Sequence, residues 1–162
     1  MPADPPADLV LTPINGQGRS LQQWLTNFHL LLIALDPYTN EGAWILPIAT
    51  RIISTFEQAD CRVALLLPAE ADDCRRFLGP VAQGVLTFSD PDRSAIGGFG
   101  IERMPAIIHL AMDGTVEGAA QGWNPAEWKA VTSGLATKMR WTSPLIPAPG
   151  DPGPFQGSPA LI

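Results

Sequence analysis

Two cysteines, Cys61 and Cys74, are the only side chains in this sequence that could supply a thiol nucleophile. Thiol–disulfide exchange needs a thiolate activated at the N-terminus of a helix, with a second thiol one turn further along. Cys61 begins a predicted strand and Cys74 lies within a predicted helix, so neither residue has that setting. We therefore expect two buried thiols, with a disulfide between them as the alternative, and no dithiol or peroxidase activity.

The histidines and carboxylates form no recognisable catalytic or metal-binding set. His29 and His109 are the only histidines, and the segment Asp72-Asp73-Cys74 does not complete a zinc-ligand spacing. No Ser-His-Asp arrangement and no phosphate-binding loop can be read from the sequence. We expect His109, on a predicted strand, to be a partly buried, hydrogen-bonded ring. The sequence thus predicts no metal, no cofactor and no catalytic residue, and hence a protein that is not an enzyme.

The charge balance and the apolar runs exclude two classes of function. Sixteen acidic residues against ten basic ones give a net charge of −6, which argues against nucleic-acid binding, because phosphate neutralisation needs clustered Lys and Arg. The apolar run Leu30–Leu35 is far shorter than the roughly 20 residues of a membrane helix. The N-terminus lacks a basic segment followed by an apolar one, so we expect a cytoplasmic protein without a membrane span.

Alternating apolar segments predict one domain of strands and helices. The continuous apolar run His29–Leu35 is typical of a strand covered on both faces. The Asp113-Gly114 dipeptide favours a tight turn, so the strands flanking it should pair antiparallel. Pro47 should kink the helix that contains it. The predicted strands are 8–12, 29–35, 62–67, 85–88, 106–111 and 115–120, and the predicted helices begin near Leu21, Ala43, Ala69, Ser94 and Pro125.

The C-terminal segment differs in composition from the rest of the chain. Residues 141–162 are rich in proline and glycine, which disfavours both helix and strand. Phe155, Leu161 and Ile162 would be its apolar handles. We predict a domain over residues 1–140 and a loosely attached, extended or disordered tail over residues 141–162.

The order of these elements and two local motifs resemble thioredoxin. Thioredoxins carry an apolar strand, a Trp-Cys-Gly-Pro-Cys segment, and a helix with a proline five residues after the second cysteine. Counting back from Pro47 places Gly42 and Thr39 at the two cysteine positions. Met104-Pro105 stands where thioredoxins have a cis-proline that faces the redox site. The resemblance implies an α/β fold, with a central mixed sheet flanked by helices.

Four separated segments resemble a narrower group. They are Leu21-Gln22-Gln23-Trp24-Leu25, Asp36-Pro37, Phe99-Gly100-Ile101-Glu102-Arg103-Met104-Pro105-Ala106 and Gly122-Trp123-Asn124-Pro125-Ala126-Glu127-Trp128. In order and spacing they are similar to the hydrogenase-maturation accessory proteins of the HyaE, HupG and HoxO type, which also lack the cysteine pair. That family implies a chaperone for the small subunit of a nickel–iron hydrogenase, whose precursor bears a twin-arginine signal peptide.

The resemblance also implies a binding patch at the end of the fold where the cysteine pair would lie. A twin-arginine segment presents two guanidinium groups and an apolar stretch, for which carboxylates and aromatic faces are suitable partners. We expect the carboxylates of Asp36 and Glu41 at its rim. The predicted binding residues are Asp36, Tyr38, Thr39, Glu41, Trp44, Met104, Pro105 and Trp123.

Two other functions stay open on the sequence. The first twenty residues look like the lead-in of thiol peroxidases or cytochrome-biogenesis thioredoxins. A thiol–disulfide oxidoreductase or peroxiredoxin-like protein of that type is therefore one alternative. The other is an accessory structural subunit that holds a larger redox complex through its Pro/Gly-rich tail.

Overall fold

The computed structural model describes residues 4–161 of the chain. The strands are β1 (Val10–Pro13), β2 (Arg19–Ser20), β3 (His29–Ala34), β4 (Cys61–Leu67), β5 (Leu86–Ser89), β6 (Arg103–Met104), β7 (Ala106–Leu110), β8 (Val116–Gln121) and β9 (Ser158–Pro159). The helices are α1 (Leu21–Trp24), α2 (Asn40–Phe56), α3 (Ala71–Leu78), α4 (Ser94–Gly98) and α5 (Pro125–Met139), with a 3₁₀ turn at Gly79–Gln83. Within the described residues, none of these helices is long and apolar enough to cross a bilayer.

Seven strands form one mixed sheet in the order β2-β1-β5-β4-β3-β7-β8. β3, β4 and β5 run parallel, whereas β7 runs antiparallel to β3 and pairs with β8 in a hairpin. The N–H of Gly114 donates to the carbonyl of Ala111 at 2.9 Å, which closes the expected turn of that hairpin. The predicted α/β architecture, a central mixed sheet flanked by helices, is confirmed.

After His29, the central strand β3 is apolar without interruption because both faces of the sheet are covered. Leu31 and Ile33 belong to the core layer that contains α2, α3 and α5. Leu30 and Leu32 belong to the opposite layer, with α1 and α4. Since successive side chains of a strand alternate between its faces, only a strand with two buried faces needs apolar residues at every position.

Helix α2 begins at Asn40, three residues before the expected start at Ala43. Its N-cap is Thr39, whose hydroxyl oxygen accepts a hydrogen bond from the N–H of Gly42 at 3.1 Å. The cap satisfies an amide that has no partner inside the helix, so the helix can begin here. At the end of the fold where thioredoxins carry their cysteine pair, the helix therefore begins with a threonine cap.

The tail has a turn at residues 149–150 and ends in the short strand β9. Ile146 and Ala160 are buried in the two core layers. The carboxylate of Asp151 forms a bidentate ion pair with Arg51 of α2. The division at residue 140 stays a prediction, and Ile162, expected as one of the handles of the tail, lies outside the described residues.

Candidate functional site

The two positions where thioredoxins carry cysteines are held by backbone contacts at the start of α2. The hydroxyl of Thr39 donates to the carbonyl of Asp36 at 3.1 Å and accepts from the N–H of Gly42 at 3.1 Å. A Cβ added to Gly42 would lie 2.0 Å from the carbonyl oxygen of Asp36. The loop before α2 therefore packs directly on a glycine, and the second cysteine position has no room for a side chain.

Asp36 and Tyr38 lie beside this helix start. Asp36 is 8% exposed, and its carboxylate accepts a hydrogen bond from the N–H of Tyr38 at 2.9 Å. It is therefore a buried residue of the loop, although the sequence places it at the rim. Tyr38 is exposed, and its hydroxyl donates to Oδ2 of Asp73 on α3 at 2.7 Å. This hydrogen bond, with partial burial, raises the pKa of Tyr38 to about 12.

The cis-proline side of the site is built from buried backbone. The Met104–Pro105 peptide bond is cis, and both residues are buried. The carbonyl of Pro105 accepts from the N–H of Gly122 at 2.7 Å, which joins the start of β7 to the end of β8. Met104 belongs to β6, the two-residue strand just before the proline. It lies opposite Ser158 of the tail in an antiparallel ladder.

Two tryptophans contact a phenylalanine of the tail, one through its backbone and the other through its ring. Trp123 is buried, and its backbone exchanges both hydrogen bonds with that of Phe155, at 2.9 and 3.0 Å. The indole N–H of Trp123 donates to the carbonyl of Pro152 at 2.8 Å. The half-exposed ring of Trp44 on α2 meets the ring of Phe155 edge to face, with centroids 6.0 Å apart. The two rings therefore hold the tail between α2 and the end of β8.

Arginines hold the backbone of the tail after Phe155. The guanidinium of Arg103 donates to the carbonyls of Gln156 and Gly157, at 3.1 and 2.7 Å, and the guanidinium of Arg93 donates to the carbonyl of Ala160. We call the surface that receives residues 152–160 the tail groove. It is formed by Trp44, Arg103, Met104, Gly122 and Trp123.

The predicted site residues fall into two neighbouring groups. Trp44, Met104 and Trp123 contact the tail, with Pro105 directly after Met104, and Glu41 shares a small pocket with Trp44 and residues 155–158. Asp36, Tyr38 and Thr39 lie instead around the start of α2 and α3. The binding role of all eight stays a prediction. Sequence reasoning did not name Arg103 and Gly122 as site residues, although both lie in segments that carry the resemblance described above, Phe99–Ala106 and Gly122–Trp128.

The two cysteines lie on β4 and α3, not at the start of α2, and are not bonded to each other. Burial raises the pKa of Cys61 to about 11 and that of Cys74 to about 11. Cys74 is fully buried, and its thiol donates to the carbonyl of Ala69 at 3.6 Å. Within residues 4–161, no three His, Cys, Asp or Glu side chains lie close enough together to hold a metal ion.

No family model matches this chain, and no curated protein sequence matches it.

Solved structures do match the fold. A proposed thiol:disulfide interchange protein DsbE from Chlorobium tepidum superposes with a TM-score of 0.70 at 17% identity, over 86% of this chain and 98% of that one. Peroxiredoxin Q from Xanthomonas campestris superposes with a TM-score of 0.67 at 14% identity, over 83% and 94% of the two chains. A proposed thioredoxin from Neisseria meningitidis superposes with a TM-score of 0.67 at 13% identity, over 83% and 91% of the two chains.

These matches correct one expectation. The sequence predicts a protein that is not an enzyme. However, the structures on which the chain superposes include a disulfide oxidoreductase from Mycobacterium tuberculosis and a Xanthomonas campestris protein with alkyl peroxide reduction activity. The prediction of a protein without enzymatic activity was therefore wrong. At these identities the likeness establishes the architecture alone, and the chain has the thioredoxin fold.

Proposed function

We propose that the tail groove binds an extended segment of a client protein, and that the chain is a chaperone or assembly factor for the small-subunit precursor of a nickel–iron hydrogenase. The fold of the chain supports the first part of this proposal. The four sequence segments similar to hydrogenase-maturation accessory proteins support the second, and with it a place in the cytoplasm, where a precursor still carries its signal peptide.

One observation carries the proposal: β6 already pairs with an extended segment, the strand β9 of the tail. Arg103 and Met104 pair antiparallel with Pro159 and Ser158, immediately before the cis-Pro105. A short strand edge beside a groove for side chains is the arrangement by which proteins bind extended peptides, since main-chain hydrogen bonds supply affinity and pockets supply specificity.

The side chains beside the groove suit the proposed client. Glu41 and the half-exposed ring of Trp44 line one wall, and a carboxylate next to an aromatic face is a favourable site for a guanidinium group. Asp36 is too buried to offer its carboxylate there. We therefore assign the recognition of a twin-arginine motif to Glu41 and Trp44.

Calorimetry with a purified hydrogenase small-subunit precursor, with and without its signal peptide, tests the proposal. The double variant Glu41→Lys with Trp44→Ala should weaken binding of the intact precursor by about tenfold, which is the loss of one close charge pair and one ring contact. Met112→Ala is the matched control, because Met112 is equally exposed but follows β7 at the strand end away from Pro105. No binding of either precursor form would refute the assignment of the client.

A second candidate function is favoured by the comparisons. The matched structures of thiol:disulfide interchange proteins and peroxiredoxins support a thiol oxidoreductase or peroxiredoxin-like protein of the cytochrome-biogenesis type. In this chain the reactive thiol would have to be that of Cys61 or Cys74. Dithiol-dependent reduction of insulin or of an alkyl peroxide, measured for the chain and for Cys61→Ser and Cys74→Ser, distinguishes this function from client binding.

A further inference from the structure

The tail and its groove touch backbone to backbone at two glycines. A Cβ added to Gly157 of the tail would lie 2.5 Å from the carbonyl oxygen of Met104 and 3.3 Å from the Cα of Gly122. A Cβ added to Gly122 would lie 2.5 Å from the carbonyl oxygen of Gln156. Both glycines also have a positive φ, +87° and +76°, a conformation that other residues adopt only at a cost. The occupant of the groove must therefore carry a glycine at this point.

An aromatic side chain precedes that glycine by two residues. Phe155 is the member of the tail that Trp123 holds by two backbone hydrogen bonds and that Trp44 meets edge to face. The neighbouring contacts, from Arg103 and Arg93, all go to carbonyl oxygens of the tail, which every peptide offers. Between residues 155 and 158, side-chain selectivity in the groove thus depends on the aromatic position and the glycine position.

We propose that the tail groove selects extended segments with an aromatic residue two positions before a glycine, and that the chain's own tail is the intramolecular occupant that such a segment must displace. This inference rests on the proposed function, in that it takes the groove to be a site for protein segments. It adds which sequence the groove selects. It also adds that the groove is free to bind a client only after the chain's own tail has left it.

Displacement follows from the covalent attachment of the tail. A segment tethered next to its site competes at an effective concentration on the order of millimolar, so a free peptide at micromolar concentration binds poorly while the tail is seated. A change that unseats the tail but leaves the groove intact should remove this competition. Phe155→Ala is such a change, because Phe155 belongs to the tail and the wall residues Trp44 and Trp123 are untouched.

The test uses full-length chains and a fluorescent synthetic peptide with the sequence of residues 151–161. Fluorescence anisotropy should show that the peptide binds the Phe155→Ala chain at least tenfold more tightly than the unchanged chain. Leu161→Ala is the matched control in the tail, since Leu161 is exposed, and it should behave like the unchanged chain. Peptides with alanine in place of Phe155 or of Gly157 should fail to bind the Phe155→Ala chain.

A second variant and a second readout guard against misfolding. Gly157→Ala also unseats the tail, through its clash with Met104, and should give the same gain if Phe155→Ala does not fold. Hydrogen exchange should show the N–H of Trp123, which donates to Phe155, losing protection in either variant and regaining it when peptide is added. Equal peptide affinities for the variants and the unchanged chain, or equal binding of the alanine-substituted peptides, would overturn the inference.

The hydrogenase precursor separates this inference from the proposed function. Equal affinity of the precursor for the unchanged chain and for Phe155→Ala would overturn displacement while leaving the proposed client in place. A tenfold higher affinity of the peptide for Phe155→Ala than for the unchanged chain, with no binding of the precursor, would support the inference. It would also refute the hydrogenase precursor as the client.

Discussion

Nδ1 of His29 and Nε2 of His109 lie 2.9 Å apart, in a hydrogen bond that links the start of β3 to β7. One nitrogen donates and the other accepts, so one of the two facing nitrogens carries a proton and the other does not. His109 is 2% exposed. Burial, and to a lesser extent the nearby His29 and Lys138, lower the pKa of His109 to about 4. The expected hydrogen bond of this histidine is confirmed, and the ring is fully buried where partial burial was expected.

We predict that this histidine makes the fold acid-sensitive. Because the pKa of His109 is about 4 in the folded chain and 6.5 ordinarily, the unfolded chain takes up the proton first as the pH falls. The stability that depends on the neutral ring is therefore complete above pH 6.5 and is lost between pH 6.5 and pH 4, by roughly 2 to 3 kcal/mol. Urea unfolding at a series of pH values measures this loss.

His109→Gln is the control for this prediction, since glutamine does not titrate but can still hydrogen-bond to His29. The variant should lose less stability than the unchanged chain between pH 6.5 and pH 4. Parallel curves for the two proteins over that range would show that the acid sensitivity comes from other groups.

We predict opposite effects for alanine at two helical glycines. Gly42→Ala should destabilise the fold by at least about 2 kcal/mol, because its Cβ meets the backbone carbonyl of Asp36 at 2.0 Å,. Gly134→Ala should stabilise it by about 0.5 to 1 kcal/mol, because Gly134 lies inside α5 with no atom within 4 Å of its Cβ position,. Thermal and urea unfolding measure both, and a tolerated Gly42→Ala would mean that the loop before α2 can move.

We predict that Asp151 contributes to stability through Arg51. The two residues form a bidentate pair, with side chains 7% and 27% exposed, and the carboxylate also accepts from the N–H of Ala148 at 2.8 Å. Asp151→Asn should cost about 1 to 3 kcal/mol. The pairing lowers the pKa of Asp151 below its ordinary 3.8, so this contribution is present above pH 3.8 and is lost below it.

Asp72→Asn is the matched control for Asp151. Asp72 pairs with Arg75 at 2.9 Å on the surface of α3, where its side chain is 81% exposed, and an exposed pair contributes about 0 to 1 kcal/mol. Urea unfolding of both variants at neutral pH compares the two sites. Equal losses would mean that the partial burial of the Arg51–Asp151 pair adds nothing.

We predict slow alkylation of both cysteines at neutral pH. Since burial raises the pKa of Cys61 and of Cys74 to about 11, roughly one thiol in ten thousand is ionised at pH 7. The rate of reaction with iodoacetamide should rise about tenfold per pH unit between pH 7 and pH 9.5. The chain unfolded in denaturant is the control, because its thiols are no longer buried and their pKa is no longer raised. A rate already maximal at pH 7 would show an activated thiolate and would favour the thiol-enzyme function.

Local signals in the sequence were sufficient for most of the architecture. The uninterrupted apolar run of β3, the turn at Asp113-Gly114 and the Asn124 cap of α5 each depend on interactions between residues close in the chain. Asn124 is the N-cap of α5, and its side-chain oxygen accepts from the N–H of Glu127 at 3.2 Å. These elements, in their order along the chain, carried the resemblance to thioredoxin, and it was that resemblance that implied the mixed sheet, its helices and the place of Met104-Pro105 at the edge of the site.

What the sequence by itself determined is therefore the set of elements and their order, because hydrophobic periodicity and capping act over a few residues. Only the tertiary structure decided where the tail lies. Met104 pairs with Ser158 and Trp123 with Phe155 through backbone groups, which are the same in every residue and leave no pattern of side chains to read. The burial of Asp36 and the close approach at Gly42 were hidden for the same reason, since both depend on how a loop packs against a helix start.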